Sequence, residues 1–176
     1  SVSRGLGDVY KRQIEKIFGL ELKELMRLLR SSGKECYIVG GAVRDLLLGF
    51  EKIIDVDLTT SLSIEQIKQM FDKNKIRFDD RALKYGCLTV NNQKKRNIQV
   101  TSFRKDIRTF GRAADIEFVE NIEEDAKRRD FTINAFYCSY DGQIIDPLGN
   151  LEDLNELRLD FIGDSEFLNK LEEVRI

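Results

Sequence analysis

The run IIDVDLTT, from Ile53 to Thr60, constrains the fold more than any other stretch. It is apolar and β-prone, yet it carries Asp55 and Asp57 on either side of a single valine. Side chains two apart in a strand share a face. Both acids therefore project together, while Val56 turns the opposite way into a core. Burying either carboxylate without a partner is costly, so a cation is expected between them.

With 176 residues, 41% of them hydrophobic and 34% charged, the chain can enclose one core and the beginning of a second unit. A formal net charge of -2 gives no bulk attraction to nucleic acid, so any phosphate binding has to come from local arrangement. Histidine is absent, which removes Ser/His and Cys/His nucleophilic sites, the H-E-x-x-H zinc site and an imidazole base. Carboxylates are left to carry any catalysis. Cys36, Cys87 and Cys138 are far apart and form no C-x-x-C pair, which indicates neither a zinc site nor a disulfide framework and fits a reducing compartment. No apolar run approaches the ~20 residues that span a bilayer, and no secretory leader is visible. A cytoplasmic, membrane-free protein is expected.

The order of elements is mixed. Ile14, Ile17, Phe18, Leu22, Leu25, Met26 and Leu29 keep helical spacing up to a stop at Gly33. ECYIVGG predicts a strand running into glycines, and AVRDLLLG a short helix ended by Gly49. Ser61 or Ser63 is expected to cap a helix through Phe71. GCLTV and NIQVTSF predict a hairpin with the basic tip Lys94, Lys95 and Arg96. Arg104 to Ala114 lacks periodicity and reads as a mobile loop that includes Arg104, Lys105 and Arg108. A strand in DIEFV, a helical IEEDAKRRDFTINAFYC, a strand and turn in GQIIDP and a mostly helical tail from Leu151, broken near 162–165, complete the chain. Without regular βαβ alternation this favours an α+β domain with a mixed sheet.

Three groups of residues can carry chemistry. Gly40 and Gly41, with Arg44 and Asp45 following, sit where a strand enters a helix, which allows close backbone approach to phosphate; an ordinary glycine turn with a solvated arginine is the plain alternative. The spacing is neither a Rossmann fingerprint nor a P-loop. Asp55 and Asp57 can bridge divalent ions that complete their shells with water and substrate phosphate, although D-x-D also occurs at strand ends. In RRDFTINA, Asp130 and Asn134 stand four apart, an acceptor and an amide suited to a ribose hydroxyl, with Arg128 or Arg129 near phosphate. Asp130 can equally be a helix N-cap.

In this order, VGGAVRDLLLG, DVDLTT and EEDAKRRDFTINA closely resemble the class II tRNA nucleotidyltransferase and bacterial poly(A) polymerase family, over about Gly19 to Ile176. The resemblance implies a polymerase-β-like nucleotidyltransferase head with helices packed on a mixed sheet. Residues 1–13 are then a disordered or foreign leader, 14–147 the catalytic head, and 148–176 a linker and the start of a helical neck. It implies transfer of CMP or AMP from CTP or ATP to the tRNA 3′ end. Asp55 and Asp57 become catalytic holders of two Mg²⁺ ions, Gly40, Gly41 and Arg44 the triphosphate seat, and Asp130 with Asn134 the ribose-reading pair. Arg129 and Arg112 become contacts to nucleotide or, for Arg112, RNA.

The chain departs from the pattern in two places. Gln99 stands where a third acid is expected, and cannot supply an anionic ligand. The family's base-reading E-D-x-x-R helix corresponds to LEEVR, in which Glu172 and Arg175 are present but Leu171 replaces the first acid. A catalytic-head fragment is expected, its tRNA-holding regions being absent from this sequence. Poly(A) addition, a CC- or A-adding specialist, and a non-catalytic nucleotide- or RNA-binding module are the alternatives.

Overall fold

A computed structural model describes residue 17 and residues 19–31, 33–91, 97–110 and 113–163. Its centre is a seven-stranded sheet in the order β3-β4-β5-β2-β1-β8-β9. The strands are β1 Cys36–Val39, β2 Asp55–Thr60, β3 Phe78–Asp79, β4 Cys87–Asn91, β5 Asn97–Ser102, β8 Tyr137–Ser139 and β9 Ile144–Ile145. β2 and β5 run parallel and every other pairing is antiparallel, so the sheet is mixed, as expected. Among the described residues no helix is long and apolar enough to cross a membrane.

Period-two alternation divides the sheet into two unlike faces. On one, Val56 (1% exposed) and Leu58 (0%) join Ile38, Ile98, Val100, Leu88 and Cys138 in the main core. Helix α1 (residues 19–29) contributes Leu22, Leu25, Met26 and Leu29 to it, α2 (Gly41–Leu47) Ala42, Val43 and Leu46, and α3 (Ile64–Lys73) Ile64, Ile67 and Phe71. The register places Asp57 opposite Val39 on β1 and Gln99 on β5. That second face has a smaller core of Val39, Phe103, Ala135 and Tyr137, joined by Ile122 and Ala126 of α4 (Ile122–Lys127). Asp55, Asn97 and Gln99 are exposed beyond it.

Local signals set several boundaries. Of the two candidate caps, Ser63 starts α3: its hydroxyl accepts from the Gln66 N–H, and the Gln66 side chain accepts from the Ser63 N–H at 2.9 Å. The hairpin joins β4 to β5, and its tip at Lys94, Lys95 and Arg96 lies outside the described residues.

Three expectations need correction. The stretch expected as a mobile loop forms β6 (Arg104–Phe110), paired with β7 (Ala113–Phe118) in a separate two-stranded ribbon. The register shifts between Asp106 and Arg108, and an extra residue of this kind breaks the alternation that marks a strand. The helix expected from Ile122 to Cys138 stops at Lys127. Phe131 is drawn out into a bridge with Phe161, with Thr132 N–H donating to the Asp160 carbonyl and Ile162 N–H to that of Asp130; a 3₁₀ turn (Thr132–Asn134) and β8 follow. Of the tail, 164–176 lies outside the described residues, and among the described residues 151–163 only α5 (Leu151–Asn155) is helical. Leu157 enters the left-handed region at φ 53° and ends it, and the Arg158 guanidinium folds back onto Asp153.

Leu58 sits on the core face of a central strand, between Asp57 and Thr59. Leu58→Ala is expected to lower the unfolding free energy by about 2–5 kcal/mol, measured by urea denaturation.

Candidate active site

Gly40 joins β1 to α2 with φ 76° and ψ -142°, a conformation that a side chain makes costly. Its N–H donates to the Phe136 carbonyl at 3.4 Å, which holds the bend against the chain entering β8. The Val43 and Arg44 N–H groups both return to the Gly40 carbonyl, so the unmade donors of this short helix belong to Gly41 and Ala42. A Cβ on Gly40 would lie 3.6 Å from Arg129 Nη1 and 3.7 Å from Asp57 Oδ2. The bend, an arginine and one of the paired acids therefore converge on one point.

Asp57 reaches that point because its in-register partner Val39 immediately precedes Gly40. Burial raises its carboxyl above the usual range; Arg129 works against that rise, and the negative charge of Asp55 adds to it. Asp55 is more exposed, and its Oδ1 accepts from Asn97 Nδ2 at 2.8 Å. The expected cation is thus Arg129, on the Asp57 side, while an amide serves Asp55. Two mutually repelling carboxylates, one of them desolvated, suit a divalent ion, and magnesium needs only one or two protein acids when phosphate completes its shell. Among the described residues no group of three or more His, Cys, Asp or Glu forms a metal cluster. Gln99 lies beside Asp57 in the sheet, and its Oε1 is 3.4 Å from Cys87 Sγ.

Two residues behind Arg129 were not among the candidates read from the sequence. Asp125, fully buried at 0% exposure, pairs through Oδ1 with Arg128 Nη2 at 2.9 Å and through Oδ2 with Arg129 Nη2 at 3.1 Å. The Tyr137 hydroxyl donates to Asp125 Oδ2 at 2.8 Å and accepts from Arg129 Nε at 3.2 Å. Burial pushes the Asp125 carboxyl up, but the two guanidiniums and the Tyr137 hydroxyl outweigh it and hold it below the usual range. The spacing in DAKRR carried a signal, since residues three and four apart face each other on a helix. Tyr137 had none, because only the fold of the sheet brings β8 beneath α4.

Asp130 and Asn134 are brought together by the 3₁₀ turn rather than by an α-helix: Asn134 Nδ2 donates to Asp130 Oδ1 at 3.3 Å. Arg44 Nη1 donates to Asn134 Oδ1 at 2.9 Å, and its Nε and Nη2 donate to Asp45 Oδ1 at 2.9 and 2.7 Å. The Asn134 carbonyl lies 4.0 Å from the Gly40 Cβ position, so this pair backs onto the glycine bend. Arg112, Glu172 and Arg175 lie outside the described residues.

A glycine bend beside an acid of the central strand, on a mixed sheet covered by helices, is consistent with an α+β nucleotidyltransferase head. The poly(A) polymerase head domain family matches residues 36–160, and the chain belongs to that family. It is 36% identical to the human mitochondrial CCA tRNA nucleotidyltransferase 1, over 88% of this chain and 35% of that one. It is 37% identical to the CCA-adding enzyme of Lactococcus lactis subsp. cremoris, over 83% of this chain and 36% of the relative. The fold superimposes on the CTP complex of the Bacillus stearothermophilus CCA-adding enzyme with a TM-score of 0.74 and 33% identity, covering 93% of this chain and 37% of that one. A tRNA nucleotidyltransferase solved with a primer tRNA and an incoming ATP analogue gives a TM-score of 0.61 at 27% identity, over 84% of this chain and 40% of that one. The chain spans a little over a third of the length of these relatives.

Asp125→Asn leaves two arginines facing a neutral group. It is expected to cost about 3–5 kcal/mol at neutral pH, measured by chemical denaturation. Because the folded carboxyl is held below its unfolded value, this stabilisation is complete above the unfolded pKa and is lost as pH falls through the folded one. The difference between wild type and variant should therefore shrink below about pH 4.

Proposed function

We propose that this chain is the catalytic head of a template-independent tRNA nucleotidyltransferase, which adds CMP and AMP from CTP and ATP to the tRNA 3′ end. The observation that carries this reading is the convergence of Asp57 and Arg129 on the Gly40 bend. A triphosphate seated there meets the unmade N–H donors at the start of α2 and a fixed guanidinium. Asp130 and Asn134 offer an acceptor and a donor for the sugar of the same nucleotide. The relatives solved with CTP and with an ATP analogue and primer tRNA support the choice of substrates.

In the proposed reaction the RNA 3′-oxygen bonds to the α-phosphorus, the bond to pyrophosphate breaks with pyrophosphate as leaving group, and the hydroxyl proton passes to solvent water. Asp55 and Asp57 would hold two magnesium ions, which when bound favour the deprotonated hydroxyl and offset charge on the triphosphate. Arg129 steadies the departing phosphates, and Asp125 with Tyr137 prevents it from collapsing onto Asp57. The remaining parts of the proposal are RNA binding and a cytoplasmic location, the latter supported by three free, buried cysteines.

Asp57→Ala should abolish incorporation of labelled CMP and AMP into tRNA lacking its 3′ end while leaving the circular dichroism spectrum unchanged. The assay uses this head joined to C-terminal regions of the relatives' length. Wild-type incorporation by that variant would refute the assignment.

A further inference from the structure

We propose that Arg44 is a positioning residue for sugar recognition, holding the Asn134 amide in the one orientation that presents an N–H to a ribose hydroxyl, rather than a contact to the triphosphate. The inference rests on the reading of Asp130 and Asn134 as the ribose pair and goes beyond it.

Donor and acceptor inventories fix the orientation of the Asn134 amide. A guanidinium has donors only, so the end of the Asn134 amide that faces Arg44 must be its oxygen; a carboxylate has acceptors only, so the end that faces Asp130 must be its nitrogen. The two contacts fix the same orientation from opposite sides. They are unequal: the charge-assisted bond from Arg44 is 2.9 Å, whereas the one to Asp130 is 3.3 Å. The orientation therefore depends chiefly on Arg44.

Arg44 is itself held. Its Nε and Nη2 both engage Asp45 Oδ1 one residue on, which spends that edge of the guanidinium within α2 and aims Nη1 at Asn134. What remains unused in the pair is the second Nδ2 hydrogen of Asn134 and, because Asp130 Oδ1 already accepts from Asn134 and from the Phe131 N–H at 2.8 Å, the Oδ2 atom of Asp130. One donor beside one acceptor matches a hydroxyl, which both accepts and donates. A 2′-deoxynucleotide keeps its 3′-hydroxyl and lacks the 2′ one, so a pair that engages the 2′-hydroxyl discriminates between the two sugars.

The test is the ratio of affinities for ATP and 2′-deoxy-ATP, measured by saturation-transfer NMR titration of the whole chain with magnesium present. The unmodified chain should prefer ATP. Arg44→Met should reduce that preference about five- to tenfold by weakening ATP alone, with 2′-deoxy-ATP unaffected. Arg44→Lys, which keeps one donor, should retain part of it. Asn134→Ala should lose as much, and the Arg44→Met/Asn134→Ala double variant no more than either single change. The Arg44 side chain is 30% exposed, which favours a folded variant; should the methionine variant fail to fold, Arg44→Gln replaces it. Equal weakening of both nucleotides by Arg44→Met would make Arg44 a phosphate contact and overturn the inference. An intact ratio in Arg44→Met beside a collapsed one in Asn134→Ala would overturn it while leaving the ribose pair standing. If the unmodified chain shows no preference, or binds neither nucleotide, the ribose reading itself fails and this inference with it.

Discussion

The antiparallel pairing of β1 with β2, in the register that sets Val39 against Asp57, is the constraint on which the rest of the site depends. It puts an acid of the central strand next to the last residue before the glycine bend. Sliding this pairing by one residue would move Asp57 to the core face and Val56 into solvent. The burial of Val56 and Leu58 on one side of β2 makes that slip expensive, so the packing of the core and the placement of the acids are one event. β1 also pairs with β8, which follows directly on the turn that holds Asn134 and the Phe136 carbonyl receiving the Gly40 N–H.

Electrostatics complete what the register begins. Arg129 beside an already desolvated Asp57 would relax onto it as a simple ion pair if nothing else claimed the guanidinium. Asp125 and Tyr137 claim it first, from inside the second core and through different nitrogens from the one nearest Gly40. Burying Asp125 is tolerable because every strong partner it needs is present: two guanidiniums, a phenol, and the Arg104 N–H at 3.3 Å. An equivalent arrangement fixes Asn134 through Arg44 and Asp45. In both cases a charged side chain is anchored by a partner near it in the chain, which leaves a defined group facing the bend.

Legibility in the sequence followed the range of the interaction. The α3 cap, the β4–β5 hairpin, the strand entering Gly40 and the outward acids of β2 depend on residues within a few positions of one another, and motif and period carried them. The strand in DIEFV is legible as β7, but its partner β6 is not, because a register shift interrupts the alternation and, among the described residues, the two pair in a ribbon apart from the main sheet. The helix from Ile122 ends earlier than its local pattern predicts because a distant partner, in the Phe131–Phe161 bridge, draws the following chain out, which local propensity does not contain. Candidate residues recognised by motif order were named together, while Asp125 and Tyr137, which face inward, were passed over.

By itself the sequence determined which residue types the site has to work with: two carboxylates on one strand face, paired glycines, arginines next to an acid and an amide, no histidine, and a glutamine in place of a third acid. The residue types follow from composition and the shared faces from periods of two and 3.6 residues, which the backbone sets, whereas Gln99 in place of a third acid is what the family resemblance implies. Only the tertiary structure decided how they meet: that Arg129 and Asp57 flank Gly40, that Arg44 faces Asn134 across 90 positions of sequence, and that Tyr137 rises beneath Asp125. Each of these is set by strand order and register, which depend on how distant segments bury their apolar faces together, and no local pattern encodes that choice.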